Sequence, residues 1–250
     1  MEIKNIESMK SIKIIALASL AIVASACNFD FNFGQTNGNG NVQVEERRVE
    51  GDFTEVRGSA GLDVYLTEGD EEKIVVEADE NLHDLIETEI VNGELRVGVA
   101  SGQNIGRAKA KKVHVTYTTL TSISASSGSD VIGNSVIKNE TLELSSSSGA
   151  DLEVEIFAKE VVADVSSGAD LKVSGRATNL IAEASSGSDL KAKDLEVKTC
   201  RAKASSGADI VVNVRDEING RASSGGDIRY YGNPTAVSVK DGASGSVRKM

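Results

Sequence analysis

The sequence predicts an all-β fold, a parallel β-helix (solenoid) with about 19–20 residues per coil. The five-residue motif S-S-G-x-D occurs six times, with spacings of 21, 19, 19, 20 and 18 residues. Regular self-similarity at this period is typical of a solenoid in which each repeat is one coil. The residues around the motif alternate apolar and polar, which indicates two short strands per coil, each with one buried face. The same alternation, with many Gly and Ser residues, excludes helical repeats.

Alignment of the six copies on their aspartates reveals columns of apolar residues. The residue after the aspartate is aliphatic in every copy: Val131, Leu152, Leu171, Leu190, Ile210 and Ile228. A second column, seven residues before the motif glycine, contains Thr121, Leu142, Val161, Leu180, Cys200 and Ile218. Like residues meet only if successive coils stack in parallel and in register, about 4.8 Å apart. The columns therefore predict an aliphatic interior in which Cys200 is a small buried hydrophobe.

The regular repeats span about residues 120–230, within one β-helix domain at residues 42–250. An imperfect copy, "SAGLDVYL", begins at Ser59, and "VNGEL" (91–95) contains the Asn-Gly pair that favours a hairpin. We expect less regular N-terminal coils that carry this hairpin. The segment "GASGSV" (242–247) is a degenerate last copy with Val247 expected in place of the aspartate.

The N-terminal residues have the features of an export signal. Residues 1–26 combine lysines with an apolar run of 13 residues and end in "ASA" before Cys27. This resembles a bacterial lipoprotein signal peptide, so we expect a lipid on Cys27 that anchors the chain to the outer membrane, on either face. The alternative is an ordinary secretory signal with an incidental cysteine. Residues 27–41, rich in Asn and Gly, are predicted to form a flexible tether.

The repeated motif is also the candidate contact surface. The candidate residues form a ladder of Asp130, Asp151, Asp170, Asp189, Asp209 and Asp227 with Ser126, Ser147, Ser166, Ser185, Ser205 and Ser223. In a purely structural role, the glycine adopts positive φ and each carboxylate accepts bonds from backbone N–H groups. Stacked carboxylates repel by roughly 1 kcal/mol per pair in water, which Lys172, Lys191 and Arg229 would partly offset.

A cation would be another way to hold these carboxylates. Calcium at Asp151, Asp170 and Asp189 is the alternative, since calcium binds carboxylate and hydroxyl oxygens. We predict no resident cofactor. We also predict no nucleic-acid partner, because the chain carries a formal net charge of −11.

The sequence contains no recognisable catalytic constellation. Neither His83 nor His114 has a nucleophile or a second metal ligand at the sequence spacing of a known motif. No phosphate-binding motif and no nucleophile-elbow motif is present. We therefore predict no enzymatic activity. The alternative is a polysaccharide-cleaving enzyme, because paired acids on a β-helix can cleave glycosidic bonds.

Over about residues 45–245 the chain resembles a known family. The residues that carry the resemblance are "RRVEGDFTEVRGSAGLDVYL", "VEADENL" and the S-x-S-G-x-D coils. They are similar to the "putative auto-transporter adhesin, head GIN domain" family, mostly lipoproteins or secreted proteins of Bacteroidetes and their relatives. The resemblance implies a right-handed β-helix-like domain in the cell envelope. It also implies an adhesin or ligand-binding role, with a glycan or an envelope protein as ligand, and a purely structural envelope element is the other option.

Overall fold

Each regular coil is one long strand that bends around an aliphatic interior. The computed structural model describes residues 34–242 and 244–250, and Thr36–Met250 form one compact unit. The regular coils are β13 (Asp151–Ser166), β14 (Asp170–Ala184), β15 (Asp189–Ser205) and β16 (Asp209–Ser223). The prediction of two short strands per coil is therefore wrong in detail, because the residues between them also pair from coil to coil.

The remaining strands, apart from a separate two-stranded sheet of residues 35–36 and 104–105, extend the stack at both ends. Before the regular coils lie β1 (Gln35–Thr36), β2 (Val42–Arg47), β3 (Glu55–Gly58), β4 (Asp63–Glu68), β5 (Lys73–Asp79), β6 (Ile86–Val91), β7 (Glu94–Val99), β8 (Asn104–Ile105), β9 (Lys111–Tyr117), β10 (Ser122–Ala125), β11 (Asp130–Gly133) and β12 (Ile137–Ser147). After them come β17 (Asp227–Tyr231), β18 (Ala236–Asp241) and β19 (Ser246–Lys249). A 3₁₀ turn, Glu80–Leu82, follows β5. The result is an all-β solenoid of about seven coils, as predicted.

The predicted aliphatic columns are confirmed by the strand register. Leu152 pairs with Leu171, and Leu171 pairs with Leu190 in the next coil. All three side chains are at most 1% exposed. Cys200 lies between Leu180 and Ile218 in the second column, and burial raises the pKa of its thiol to about 12. It is a buried apolar residue, as the sequence predicts.

The S-S-G-x segment forms the tight turn between successive coils. The glycine has a φ of 68–78° in the six copies, as expected, and the second serine also has a positive φ, 51–58°. In the copy at Ser166, the Ala169 N–H donates to the Ser166 carbonyl at 3.3 Å. Two left-handed central residues closed by this bond are the pattern of a type I′ turn. The turns also stack, since the Gly149 N–H donates to the Ser167 carbonyl of the next coil at 3.1 Å.

The less regular N-terminal coils contain the predicted hairpin. Strands β6 and β7 are antiparallel and joined by Asn92 and Gly93, both with positive φ. The imperfect copy is also in register, because Asp63 pairs with Asp130 and Val64 with Val131. Both predictions are confirmed.

The last copy departs from the predicted register by one position. Ser246, rather than Val247, pairs with Asp227, and Val247 stacks on Ile228. The prediction that Val247 takes the place of the aspartate is wrong. The inward column requires an apolar residue, and this requirement sets the register of β19.

The two ends of the stack differ in polarity. On β2 the positions that pair with the buried apolar residues of β5 are Gln43, Glu45 and Arg47. On β18 the inward columns end in Val237 and Val239, which are 48% and 46% exposed. Inward-pointing charges discourage pairing with another strand at an edge. The N-terminal edge has this protection, whereas β18 presents apolar side chains.

Residues 37–41, predicted to belong to the tether, are hydrogen-bonded to the solenoid. The Gly38 N–H donates to the Arg107 carbonyl at 2.8 Å, and the Asn39 N–H donates to Oδ1 of Asn81 at 2.9 Å. The ordered chain thus begins before residue 42, because these small polar residues match the polar groups of the end coil.

The remaining N-terminal features are still predictions. The signal peptide (1–26), Cys27 and the first part of the tether lie outside the described residues. Within the described part of the chain, no helix is long and apolar enough to cross a bilayer.

The turn geometry predicts opposite effects for two neighbouring serines. Ser167→Gly should raise the free energy of unfolding by about 0.5–1 kcal/mol, because relief of the left-handed strain exceeds the entropy cost of glycine. Ser166→Gly, at an extended position of the same turn, is the matched control and should lower it by about 0.5–1 kcal/mol. Chemical denaturation measures both values. Equal changes in the two variants would contradict the turn assignment.

Candidate functional site

The structure brings the predicted aspartates and serines together along one edge of the solenoid, here called the aspartate edge. Asp151 pairs with Asp170, Asp170 with Asp189 and Asp189 with Asp209. Asp130 and Asp227 continue the same column at its two ends. The first serines of the motif stack beside the aspartates and are half-buried. The predicted ladder therefore exists as a continuous surface feature.

Basic side chains neutralise the C-terminal half of the aspartate edge. Nζ of Lys191 lies 2.8 Å from Asp170 and 3.5 Å from Asp189. Arg229 pairs with Asp209 at 3.2 Å. Each cation thus reaches the aspartate of the preceding coil. Lys172 instead pairs with Glu153 at 2.6 Å, so it does not offset the aspartate repulsion as predicted.

The N-terminal half of the aspartate edge is not neutralised in this way. Burial, and then the neighbouring carboxylates, raise the pKa of Asp130 and of Asp151. At the other end, hydrogen bonding from the Ser246 hydroxyl, with the charge of Arg248, lowers the pKa of Asp227. The ionised carboxylate is therefore disfavoured at Asp130 and Asp151, near the N-terminal end of the column, and favoured at Asp227, at its C-terminal end.

The six carboxylates do not have the predicted backbone partners. Among the described residues, no backbone N–H donates to them, because the turn is already closed by its own backbone bonds. A different aspartate has this role. Asp79 is buried and accepts bonds from the N–H groups of Gly40, Lys109 and Ala110. Burial alone would raise the pKa of Asp79, but these bonds hold it below its ordinary value.

The aspartate edge does not converge on a point. Asp151, Asp170 and Asp189 stand in a row, one rung or about 4.8 Å apart. In residues 34–242 and 244–250, no group of three or more His, Cys, Asp or Glu side chains is arranged to hold a metal ion.

The two histidines are occupied elsewhere. His114 faces outward, stacks on Tyr65 with ring centroids 5.3 Å apart, and lies 3.2 Å from a carboxylate oxygen of Glu77. His83 is buried, and its Nδ1 is 3.4 Å from Glu45. Each histidine therefore has an acidic neighbour on an N-terminal strand, away from the aspartate edge.

A second feature, which the sequence analysis missed, is a groove of about 640 Å³ on another side of the coils, here called the basic groove. Its floor contains Ala158, Ala177 and Val197, which stack in register. One wall is the outward column of Lys138, Phe157, Arg176 and Glu196. The other wall contains Glu140, Lys159, Thr178, Lys198 and Arg215. The groove spans five successive coils, roughly 20 Å along the axis.

The basic groove lies where the coils vary in length. The register shifts between Lys172 and Gly175 and again between Ala192 and Glu196, so the extra residues of longer coils are accommodated here as irregularities. Variable segments on a rigid scaffold are common positions for binding residues. The sequence at the S-S-G-x turns is uniform because the turn geometry requires it, whereas the sequence and the coil length can vary on the side of the groove.

Phe157 is the most prominent apolar side chain of the groove. It is 56% exposed although it stands between the buried residues Ile156 and Ala158. The chain has only five phenylalanines, so an outward-facing one is informative. Strand alternation places Phe157 outside once Ile156 is assigned to the interior. The sequence therefore contains this signal, at a position six residues after Asp151 and beyond the columns that flank the motif.

Comparison with known protein families gives a match over most of the chain. The model of the family described as "Putative auto-transporter adhesin, head GIN domain" matches residues 52–234. This range includes all six copies of the motif and the whole basic groove. No curated protein shows significant similarity to the sequence.

Several solved structures share the fold. A putative adhesin from Bacteroides fragilis NCTC 9343 is 17% identical, with a TM-score of 0.80 over 86% of this chain and 100% of its own. A putative adhesin from Parabacteroides merdae ATCC 43184 is 20% identical, with a TM-score of 0.70 over 87% and 99%. A putative lipid binding protein from Parabacteroides distasonis ATCC 8503 is 19% identical, with a TM-score of 0.68 over 86% and 99%. At these identities the likeness concerns the fold.

The two halves of the aspartate edge should respond oppositely to removal of charge. At about pH 7, Asp151→Asn should raise stability and Asp227→Asn should lower it, each by less than about 1 kcal/mol. The raised pKa of Asp151 means that its ionised form is disfavoured in the fold, and this penalty fades as the pH falls through the folded pKa towards 3.8. The lowered pKa of Asp227 means that its contribution, present above 3.8, is lost as the pH falls through its folded pKa.

Thermal melting of both variants from about pH 7 to about pH 2.5 measures these differences. The same sign for the two substitutions at neutral pH would contradict the assignment. So would a difference for Asp151→Asn that persists at the acidic end, well below the ordinary pKa of 3.8.

Proposed function

Because the chain belongs to the family described as "Putative auto-transporter adhesin, head GIN domain", we propose that it is a lipid-anchored, non-enzymatic protein of the cell envelope that binds a glycan. The family supports an adhesin-like protein associated with the envelope. The anchor, the absence of catalysis and the ligand are the further parts of the proposal.

The exposed ring of Phe157 in the basic groove carries the proposal. An aromatic side chain that remains half-exposed on a rigid sheet is available to stack on a flat, partly apolar ligand surface. Its neighbours Asn139 and Thr178 add hydrogen-bonding groups to the groove. A flat ring flanked by polar groups suits the faces and hydroxyls of sugar rings. We therefore place glycan binding in the basic groove and give the aspartate edge a structural role.

The carboxylates of the groove argue against hydrolysis. Glycoside hydrolysis requires two carboxyl groups about 5–9.5 Å apart. Glu140 and Glu196 are three rungs apart, roughly 14 Å along the axis. Glu140 is also held in an ion pair with Lys159 at 2.5 Å. The proposal is accordingly a binding protein, and cleavage of polysaccharide is the outcome that would support the alternative.

The lipid anchor rests on the N-terminal sequence. An apolar run too short for a finished transmembrane helix ends directly before Cys27. A lipid on Cys27 would attach the chain to the outer membrane.

The binding proposal predicts that the purified chain is retained on a subset of glycans in an array and releases no new reducing ends from them. Phe157→Ala should weaken binding about tenfold, equivalent to about 1.4 kcal/mol of aromatic contact. Val162→Ala removes an exposed apolar side chain from another side of the coils and is the matched control. Absence of any retained glycan, or equal losses in both variants, would contradict the proposal, and product formation would support the enzyme.

The anchor proposal predicts that Cys27→Ser moves the chain from the membrane fraction to the soluble fraction of the cell. Metabolic labelling with a fatty acid should mark the wild-type chain and not the variant. A membrane-bound, unlabelled wild-type chain would exclude lipidation of Cys27. Protease added to intact cells then distinguishes the outer face from the periplasmic face.

A further inference from the structure

The charge of the basic groove is opposite to that of the whole chain. The formal net charge of the protein is −11, yet the groove is lined by five basic and two acidic side chains, a local net charge of +3. The basic residues are Lys138, Lys159, Arg176, Lys198 and Arg215. A positive strip on a negatively charged protein raises the local concentration of anions at that place.

Three of these cations form no salt bridge with a described residue, although the charge of Lys198 helps, after the hydrogen bond from Arg215, to lower the pKa of Asp216. Lys159 pairs with Glu140, and Arg215 pairs with Asp216 at 2.8 Å. No carboxylate of the described chain lies within 4 Å of Lys138, Arg176 or Lys198. On the aspartate edge, by contrast, Lys191 is used in a cross-rung ion pair. The unpaired cations of the groove are therefore available to a ligand.

The unpaired cations follow the axis of the solenoid. Lys138 is on β12, and Arg176 is on β14, two rungs away, or roughly 10 Å. Lys198, on the facing wall, belongs to β15, one rung further. Phe157 stands between Lys138 and Arg176 in the same column. Charges repeated along a straight groove, with an aromatic ring between them, match a linear ligand that carries repeated anions.

Peptides and lipids fit this groove less well. The three central coils of the groove, β13, β14 and β15, are paired on both sides, so an extended peptide finds no free backbone edge along the middle of the groove. The apolar floor offers little surface to an acyl chain, because Ala158, Ala177 and Val197 are at most 8% exposed. Binding must therefore use the wall side chains: guanidinium and ammonium groups, an amide, a hydroxyl and one aromatic ring.

From this placement we infer that the basic groove binds an acidic polysaccharide, with Lys138, Arg176 and Lys198 contacting its carboxylate or sulfate groups and Phe157 stacking on a sugar ring. The inference rests on the proposed glycan-binding function and specifies the chemical class of the glycan. Guanidinium and ammonium groups bind carboxylates and sulfates by charge-assisted hydrogen bonds, which are stronger than those to neutral hydroxyls.

Two matched pairs of polymers test the inference. Polygalacturonate is compared with its methyl ester, and dextran sulfate with dextran, by calorimetry or surface-based binding on the full chain. At least one anionic polymer should bind at least tenfold more tightly than its uncharged counterpart. The affinity should fall as salt is raised from about 50 to 300 mM, because salt screens exposed charges.

Variants with the same change of net charge locate the site. Arg176→Glu should weaken binding of the anionic polymer at least tenfold and reduce its salt dependence. Arg107→Glu, at an exposed position in an N-terminal loop outside the basic groove, should change the affinity less than twofold. Melting curves of the two variants should agree within a few degrees, which separates loss of binding from loss of folding.

Each outcome has a distinct meaning. Equal binding of charged and uncharged polymers, or equal effects of the two substitutions, would overturn this inference and leave glycan binding intact. Failure of every glycan on the array would contradict the proposed function itself. Polyglutamate or vesicles rich in phosphatidylglycerol, if bound as tightly and with the same dependence on Arg176, would assign the groove to an acidic protein or to a lipid surface and overturn the inference.

Discussion

The in-register stacking of the S-S-G-x turns is the constraint on which the rest of this structure depends. Each turn places two consecutive residues in the left-handed region, and the glycine N–H of one coil bonds to the second serine carbonyl of the next. At the x position the six copies have only Ser, Ala and Gly, whereas the early copy, in the less regular N-terminal coils, has the buried Leu62 there. Once the turns are aligned, a shift of one residue would turn every aliphatic side chain outward.

The turn accounts for most of the repeated motif, but not for the aspartate. Ser, Gly and the small x residue have backbone or packing roles, whereas the aspartates point outward and, in the described chain, receive no backbone bond. In the C-terminal coils, cations from the following coil compensate the carboxylates. At Asp130 and Asp151 nothing in the structure explains the choice of aspartate. A conspicuous repeat can thus have mainly structural causes, while the functional surface lies on the side where the repeat is irregular.

The fold could be predicted closely from the sequence because, in a solenoid, residues one repeat apart in sequence are neighbours on adjacent coils. The aliphatic columns, the hairpin at Asn92 and the early copy at Asp63 were all predicted correctly. The prediction failed for features that the repeat length does not determine. The turn conformation of the second serine follows from hydrogen bonding, and serine has no strong preference for that conformation. The register at Ser246 was missed because the motif was matched by letters rather than by the inward column.

The candidate site was harder to predict than the fold. The residues of the aspartate edge could be predicted from the sequence, but their ion-pair partners could not. The ion pairs run from one coil to the preceding one, and Lys172 pairs with Glu153 rather than with an aspartate. The basic groove is formed by residues of five coils that lie far apart in sequence, on the side with register shifts. The wall residues alternate with buried residues along each strand, so they can be assigned to the groove only when the inward and outward positions of every coil are known.

Disulfide formation between engineered cysteines tests the stacking most directly. Glu153 and Lys172 are register partners on adjacent coils, whereas Lys191 lies one coil further along the same column. In a background with Cys27→Ser and Cys200→Val, cysteines at 153 and 172 should form a disulfide readily, because neighbouring strands place their Cα atoms about 4.8 Å apart. Cysteines at 153 and 191, about 10 Å apart, should remain reduced. Efficient cross-linking of 153 with 191, or none of 153 with 172, would contradict the in-register solenoid.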